Sequence, residues 1–357
     1  MKINRQELAN KFYKDNVNYS IESFQKENML PHRYVLVLTN LCNLRCSFCF
    51  QERKKKPDRM ETADWLSFIG QVPENSRITL TGGEPLVFKG FAEIFKFANQ
   101  KNYTNIVTNG LLLDNKISEL LISEKNFKVL GISIDTIGNT NRDFSSKQWN
   151  DLVSKINYFL NIRNKNNHEC VFDIKTVVLE DNIKDLFDIH KYCCEVLNCD
   201  THSFQLLKGA DIQHSDLMFD YDKIFKKYEA YQYKNFSKLI EQLNLIREYN
   251  LKNNYKSYLH PNIINLNSTE FIEEKSFLFL NEKEHDHTKF KTCLSPWTSV
   301  HVNVDGNLFP CMAVSMGNVK NTNLEAIYFS DKFNKFKEEI KRNSTLNGCN
   351  RCGWLKV

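Results

Sequence analysis

The chain has 357 residues with 48 Lys+Arg against 43 Asp+Glu, a formal net charge of +5. So small an excess is not the footprint of a dedicated nucleic-acid binder, and 41% hydrophobic with 12% aromatic residues excludes wholesale disorder. The longest apolar runs, such as Tyr34 to Leu38, fall far short of the roughly 20 residues that cross a bilayer, and Met1 to Glu7 lacks the apolar segment of a signal peptide. A soluble, cytoplasmic protein with no membrane partner is expected.

In chain order, Tyr34-Val35-Leu36-Val37-Leu38 predicts a buried parallel strand that runs straight into a loop holding Cys42, Cys46 and Cys49. A helix is predicted near Thr62 to Gly70 with Thr62 as its N-cap, then a strand over Arg77 to Thr81 ending in Gly82-Gly83-Glu84-Pro85. Helices around Phe91 to Asn99 and Asp114 to Ser123 flank a strand at Asn105 to Thr108, which Asn109-Gly110 closes. A strand from Val129 to Asp135, a helix around Lys147 to Ile162 and a strand from Val171 to Leu179 continue the alternation. A helix near Ile183 to Leu197 and a strand at Ser203 to Leu207 end it. Six β/α repeats predict an α/β fold, a partial (β/α)6 TIM-like barrel. Ligand chemistry in such folds gathers at the C-terminal strand ends, where the first cysteine loop, Gly82 to Pro85, Asn109 and Ser133 to Asp135 all fall.

Residues 211–290 are rich in Tyr, Lys, Asn and Glu, with helical spacing from Tyr221 to Asn250, and predict a helical insert or bridge, with a substrate lid as the alternative. From Cys293 the character changes: Ser299 to Val304 alternates, Asp305-Gly306 signals a hairpin turn, and Asn307 to Cys311 returns. A helix near Leu324 to Ile340 then leads to Cys349-Asn350-Arg351-Cys352, a small α+β module. The expected division is an N-terminal extension (1–33), a barrel (34–210), the insert (211–290) and the module (291–357). Arg53-Lys54-Lys55-Lys56 reads as a solvated run and His285-Asp286-His287 as a polar loop rather than a metal tract. Asp211 and His214 are candidate bases after the sixth strand.

Eleven cysteines, an odd number, fit a disulfide framework poorly and in a reducing compartment suggest metal. Cys170, Cys193, Cys194 and Cys199 read as core thiols, with Cys199 near enough to a strand start to reach the rim in an alternative reading. Cys42, Cys46 and Cys49 are spaced CxxxCxxC. A 4Fe–4S cubane normally takes four thiolates, so three from one loop leave one iron without a protein ligand. A zinc knuckle or a ferredoxin loop is the alternative.

With Phe48 before the third cysteine, Gly82-Gly83-Glu84-Pro85, Thr108-Asn109-Gly110 and Ile132-Ser133-Ile134-Asp135 in order, residues 34 to 208 resemble the radical SAM enzymes. The resemblance implies that S-adenosylmethionine (SAM) chelates the fourth iron and, given an electron from a flavodoxin- or ferredoxin-type donor, yields a 5′-deoxyadenosyl radical that takes a hydrogen atom from substrate. It implies that Gly82 and Gly83 let the backbone approach the methionyl amino group with Glu84 as a charged partner, and that Phe48 packs near the adenine. Asn109 and Ser133 would face the cofactor, and Asp135 and Arg142 form a pair common after the family's fourth strand. The C-terminal spacing, with twelve residues between Cys293 and Gly306 and four between Gly306 and Cys311, then a CxxC at Cys349 and Cys352, resembles a SPASM/twitch auxiliary 4Fe–4S module. With four cysteines, the one-cluster twitch form is the better match, shared with dehydrogenases that oxidise aminocyclitol alcohols; a structural zinc site is the alternative. The preferred function is oxidation or rearrangement of a small polyol, sugar or nucleotide-linked metabolite. Modification of a ribosomally made peptide is a second reading, weakened by the lack of a peptide-recognition domain before Tyr34, and a non-catalytic electron carrier or binding protein is a third.

Overall fold

The computed structural model describes residues 3–51, 59–207 and 210–357, so the Arg53 to Lys56 run lies outside the described residues. The expected β/α alternation forms a mixed α/β structure with one mostly parallel, open sheet. After a first helix α1 (Arg5–Lys26), the repeats run β1 (Arg33–Thr39), α2 (Thr62–Ile69), β2 (Arg77–Gly82), α3 (Phe91–Lys101), β3 (Tyr103–Thr108) and α4 (Asn115–Ser123). They continue through β4 (Phe127–Ser133), α5 (Ser146–Lys165), β5 (Val171–Val178), α6 (Leu186–Glu195) and β6 (Thr201–Leu206). Glu61, not Thr62, caps α2, in a reciprocal capping box with Asp64.

The sheet extends beyond the six expected strands. After helix α7 (Phe236–Asn253), the insert contributes β7 (Ser257–His260), parallel to β6. The module begins with the short helix α8 (Ser295–Thr298), and β8 (Ser299–Val302) then pairs parallel with the free edge of β1. Strands β9 (Asn307–Phe309) and β10 (Gly317–Asn318) follow antiparallel, giving the order β10-β9-β8-β1-β2-β3-β4-β5-β6-β7. At four residues with two polar ones, β7 has no apolar run to betray it. The expected C-terminal helix is two, α9 (Leu324–Tyr328) and α10 (Asp331–Asn343), because Ser330 accepts a bond from the Phe333 N–H and starts the second afresh.

Period-two alternation assigns the sheet's faces. Leu36, Leu80, Ile106, Leu130, Ile132, Phe172 and Ile174 are buried in one core with Trp65 and Phe68 of α2, Phe95 of α3 and Phe159 of α5. The intervening residues face the barrel interior in register: Thr79 with Asn105, Gly131 with Asp173, Ser133 with Lys175, Lys175 with Ser203, and Val177 with Gln205. A parallel sheet packed on both faces would be apolar there; this inner face is polar. Beneath it, α1 crosses the N-terminal ends of the strands: Arg5 donates to the His168 carbonyl at 2.8 and 3.2 Å, Tyr258 donates to Asn10 at 2.8 Å, and Ser23 donates to the Trp297 carbonyl at 2.8 Å.

Candidate radical SAM and auxiliary cluster sites

The loop after β1 is held from below and from both sides. Leu44 is buried in the core and anchors its middle, while Cys42, Cys46 and Cys49 stay half-buried. The end of β2 backs it: the Gly83 N–H donates to the Thr39 carbonyl at 2.7 Å and the Glu84 N–H to that of Leu41 at 2.9 Å. A Cβ on Gly82, whose φ is +145°, would lie 2.2 Å from the Thr39 oxygen, and one on Gly83 would lie 2.3 Å from the Leu41 oxygen. The two glycines therefore bring the chain against the end of β1 and the cysteine loop.

Glu84 is bonded into the fold. Its side chain is fully buried; Oε1 accepts from the Thr108 hydroxyl at 2.8 Å and the Leu86 N–H at 3.1 Å, and Oε2 from the Asn109 N–H at 2.8 Å. Burial pushes its carboxyl above the ordinary value, and those three donors hold it back. Glu84 ties the end of β3 to the end of β2. Asn109, placed in that way, donates to Asn43 at 2.8 Å and points at the Cys42 thiol at 3.9 Å.

On the other side Asp135, fully buried, accepts from Arg142 Nε at 2.6 Å and from the Val177 N–H at 2.7 Å. The same guanidinium reaches the Cys46 thiol at 3.8 Å and lies 5.2 Å from the Phe48 ring centroid. Burial alone would lower Arg142, but Asp135, Cys46 and Cys49 outweigh it and keep the charge in place. Ser133 ends β4 beside Lys175, and its carbonyl accepts from Asn139 at 3.2 Å. All the first-site residues expected from sequence thus meet at one rim; Asn43 and Thr108 join them, and only their contacts single them out.

The second group converges from three separate segments. Cys293 precedes α8, Cys311 follows β9, and Cys349 and Cys352 sit in a turn beyond α10; each is at most 6% exposed and no disulfide joins any of them. Burial pushes the Cys293 thiol up to about 12, and Cys352 adds to it; Cys311 and Cys349 move the same way, each raised further by its neighbours. Four buried thiols make an all-sulfur donor set whose thiolates a metal centre would neutralise. Four cysteine sulfurs are the donor type that a 4Fe–4S cluster takes.

Arg351, within this CxxC turn, is 3% exposed and donates to the Leu280 carbonyl at 2.8 Å and the Leu207 carbonyl at 3.0 Å, locking the turn to the insert and to the end of β6. The segment leaving β6 also crosses to the module, with Gln213 bridged to Met312 and Phe219 to Val314. His285 and His287 both bond the Thr345 hydroxyl, at 2.9 and 3.1 Å, so the polar-loop reading of that tract is the structural one. Asp211 is exposed, whereas His214 lies against His301 with ring centroids 4.5 Å apart and planes tilted by 46°. Cys170, Cys193, Cys194 and Cys199 are at most 4% exposed; Cys199 precedes the start of β6, at the end of the barrel away from the rim, and cannot reach it.

This fold and these two cysteine sites define a radical SAM enzyme with an auxiliary cluster module, and the comparisons agree: the radical SAM superfamily model matches residues 36–193 and the SPASM iron-sulfur cluster-binding domain matches 293–353. The chain belongs to the radical SAM superfamily and uses SAM, its 4Fe–4S cluster and an auxiliary cluster. An uncharacterized protein of Methanocaldococcus jannaschii is 31% identical over 209 residues, 55% of this chain and 71% of that one. GTP 3′,8-cyclase of Clostridium perfringens is 32% identical over 44% of this chain and 50% of its own. The sporulation killing factor maturation protein SkfB of Bacillus subtilis is 36% identical over 32% of this chain, which spans only 28% of SkfB. Among solved structures, Streptococcus suis SuiB bound to precursor peptide SuiA shares the fold with a TM-score of 0.62 at 15% identity, covering 95% of this chain and 75% of that one. Among the described residues no helix is long and apolar enough to cross a membrane.

Proposed function

We propose that this radical SAM enzyme modifies a peptide, the second of the readings set out above, in place of the small polyol or sugar first expected. The observation that carries the proposal is the mouth of the open barrel. Leu41 (43% exposed), Phe50 (61%), Leu112 (38%) and Ile137 (46%) stand in the loops that ring the cysteine site. Exposed apolar side chains gathered around a polar interior suit a chain that lays side chains across the rim and sends one inside; a polyol would gain nothing from them. The maturation protein SkfB and SuiB with its precursor peptide lend support by name.

When bound, the cluster and SAM supply a 5′-deoxyadenosyl radical on receiving an electron, for which a flavodoxin- or ferredoxin-type donor is the proposed source. The protein's own residues position. Cys42, Cys46 and Cys49 hold the first cluster; Gly82, Gly83 and Glu84 brace that loop; Asn109, Ser133 and Phe48 border the cofactor; and Arg142 keeps a positive charge beside Cys46. Cys293, Cys311, Cys349 and Cys352 hold the auxiliary cluster, in a module placed by Arg351 against the end of β6. The sequence divides accordingly into extension, barrel, insert and module.

The test is anaerobic incubation with SAM and dithionite plus either a mixed peptide pool or a pool of sugars and cyclitols. Peptide should raise 5′-deoxyadenosine above the uncoupled level and return products of altered mass. Stimulation by the polyol pool alone would overturn the peptide reading.

A further inference from the structure

We propose that the inner face of β4, β5 and β6 is the substrate site, and that Lys175 there binds an oxyanion, a carboxylate or a phosphate, on the molecule being modified. The inference deepens the preceding reading and rests on it for where the cofactor lies.

Lys175 sits on β5, a strand paired on both sides, yet its side chain is 37% exposed because it projects into the barrel rather than the helix layer. In register it lies between Ser133 of β4, at the rim, and Ser203 of β6. Space for it is made by Gly131: a Cβ there would stand 2.7 Å from Lys175 Cε. Asp173 fixes the ammonium, with Oδ2 at 2.7 Å from Nζ. That carboxylate is in turn committed elsewhere, Oδ1 accepting from the Thr201 hydroxyl at 2.7 Å and the Ser203 hydroxyl at 3.0 Å. An ammonium has three N–H donors. One is spent on Asp173, which leaves two for a ligand.

Charge points the same way. Among the described strand residues, the inward positions of β4, β5 and β6 carry Lys175 as the one cation and Asp173 as the one acid. A pre-placed amine whose carboxylate partner is shared with two hydroxyls recognises an anion. Its place level with Ser133 sets that anion a short reach inside the rim, so the group acts as an anchor and leaves a neighbouring carbon to face the cofactor.

The experiment is calorimetric titration of the reconstituted, oxidised full chain with tripolyphosphate and, separately, with an acidic tetrapeptide. One of the two should bind, phosphate or carboxylate source as the case falls, and Lys175→Gln should weaken it at least tenfold while Lys175→Arg keeps it within about threefold, the difference made by a charge-assisted bond. Gly131→Ala, which leaves the charge but crowds the side chain, should also weaken binding. No binding of either probe to the wild type, or equal binding by Lys175→Gln, overturns the proposal. Because no reductant is present, these outcomes do not depend on radical formation: wild type that makes 5′-deoxyadenosine but binds neither probe sinks this inference alone.

Discussion

Single residues at the rim do work that their sequence motif describes only in part. Gly82-Gly83-Glu84-Pro85 was legible as a site, but which partner the glycines approach was not, because a sequence does not say which neighbouring strand a turn will meet. The loop after β1 is that partner, and the 2.2 and 2.3 Å approaches leave no space for side chains. The length and charge of Glu84 suit a buried acceptor for Leu86, Thr108 and Asn109, a role that the motif does not announce. Glu84→Ala would leave those three donors buried without an acceptor. We expect a loss of about 3 kcal/mol in urea unfolding, with Glu84→Gln, which keeps one oxygen, losing less. Equal stability of Glu84→Ala and wild type would mean that the carboxylate is not the brace described.

At the scale of elements, the six β/α repeats were readable because each strand is an apolar or β-branched run closed by a turn. β7 was not, since a four-residue strand carries too little periodicity to separate from loop, and the alternation of Ser299 to Val304 does not say that β8 will pair with β1. Strand β5 did show a signal: Asp173 and Lys175 interrupt a run otherwise fit for burial on both faces, and such alternation marks a polar inner face. The C-terminal module makes a pH prediction for the cluster-free protein. The Cys293 thiol, ordinarily ionising near 9.0, is held up to about 12 in the folded chain. The unfolded chain therefore releases that proton first, so apo stability is intact below about pH 9 and falls as pH rises through the window up to about 12. Cys311 and Cys349 shift the same way and steepen the fall. Thermal melts of apo-protein across that range should decline with pH, and protein with the cluster bound, its thiolates already ionised, should decline less. An apo melting temperature that rises or stays level with pH would contradict this placement of the thiols.

Across the whole molecule, the sheet joins what the sequence divides. The strand of the module lies beside β1 and that of the insert beside β6, so the cluster module extends the barrel's own sheet and brings Cys293 and Cys311 with it. Its turn at Arg351 is fastened to the opposite edge, at Leu207. The catalytic rim, the polar interior and the auxiliary site are one construction around one cavity, and every function given to it depends on the cluster held by Cys42, Cys46 and Cys49. The direct measurement replaces those three cysteines with alanine and follows 5′-deoxyadenosine under dithionite and SAM, with iron counted per chain. Production should vanish while iron falls from about eight to about four atoms, the auxiliary cluster being retained. Undiminished 5′-deoxyadenosine from the triple variant would contradict the account.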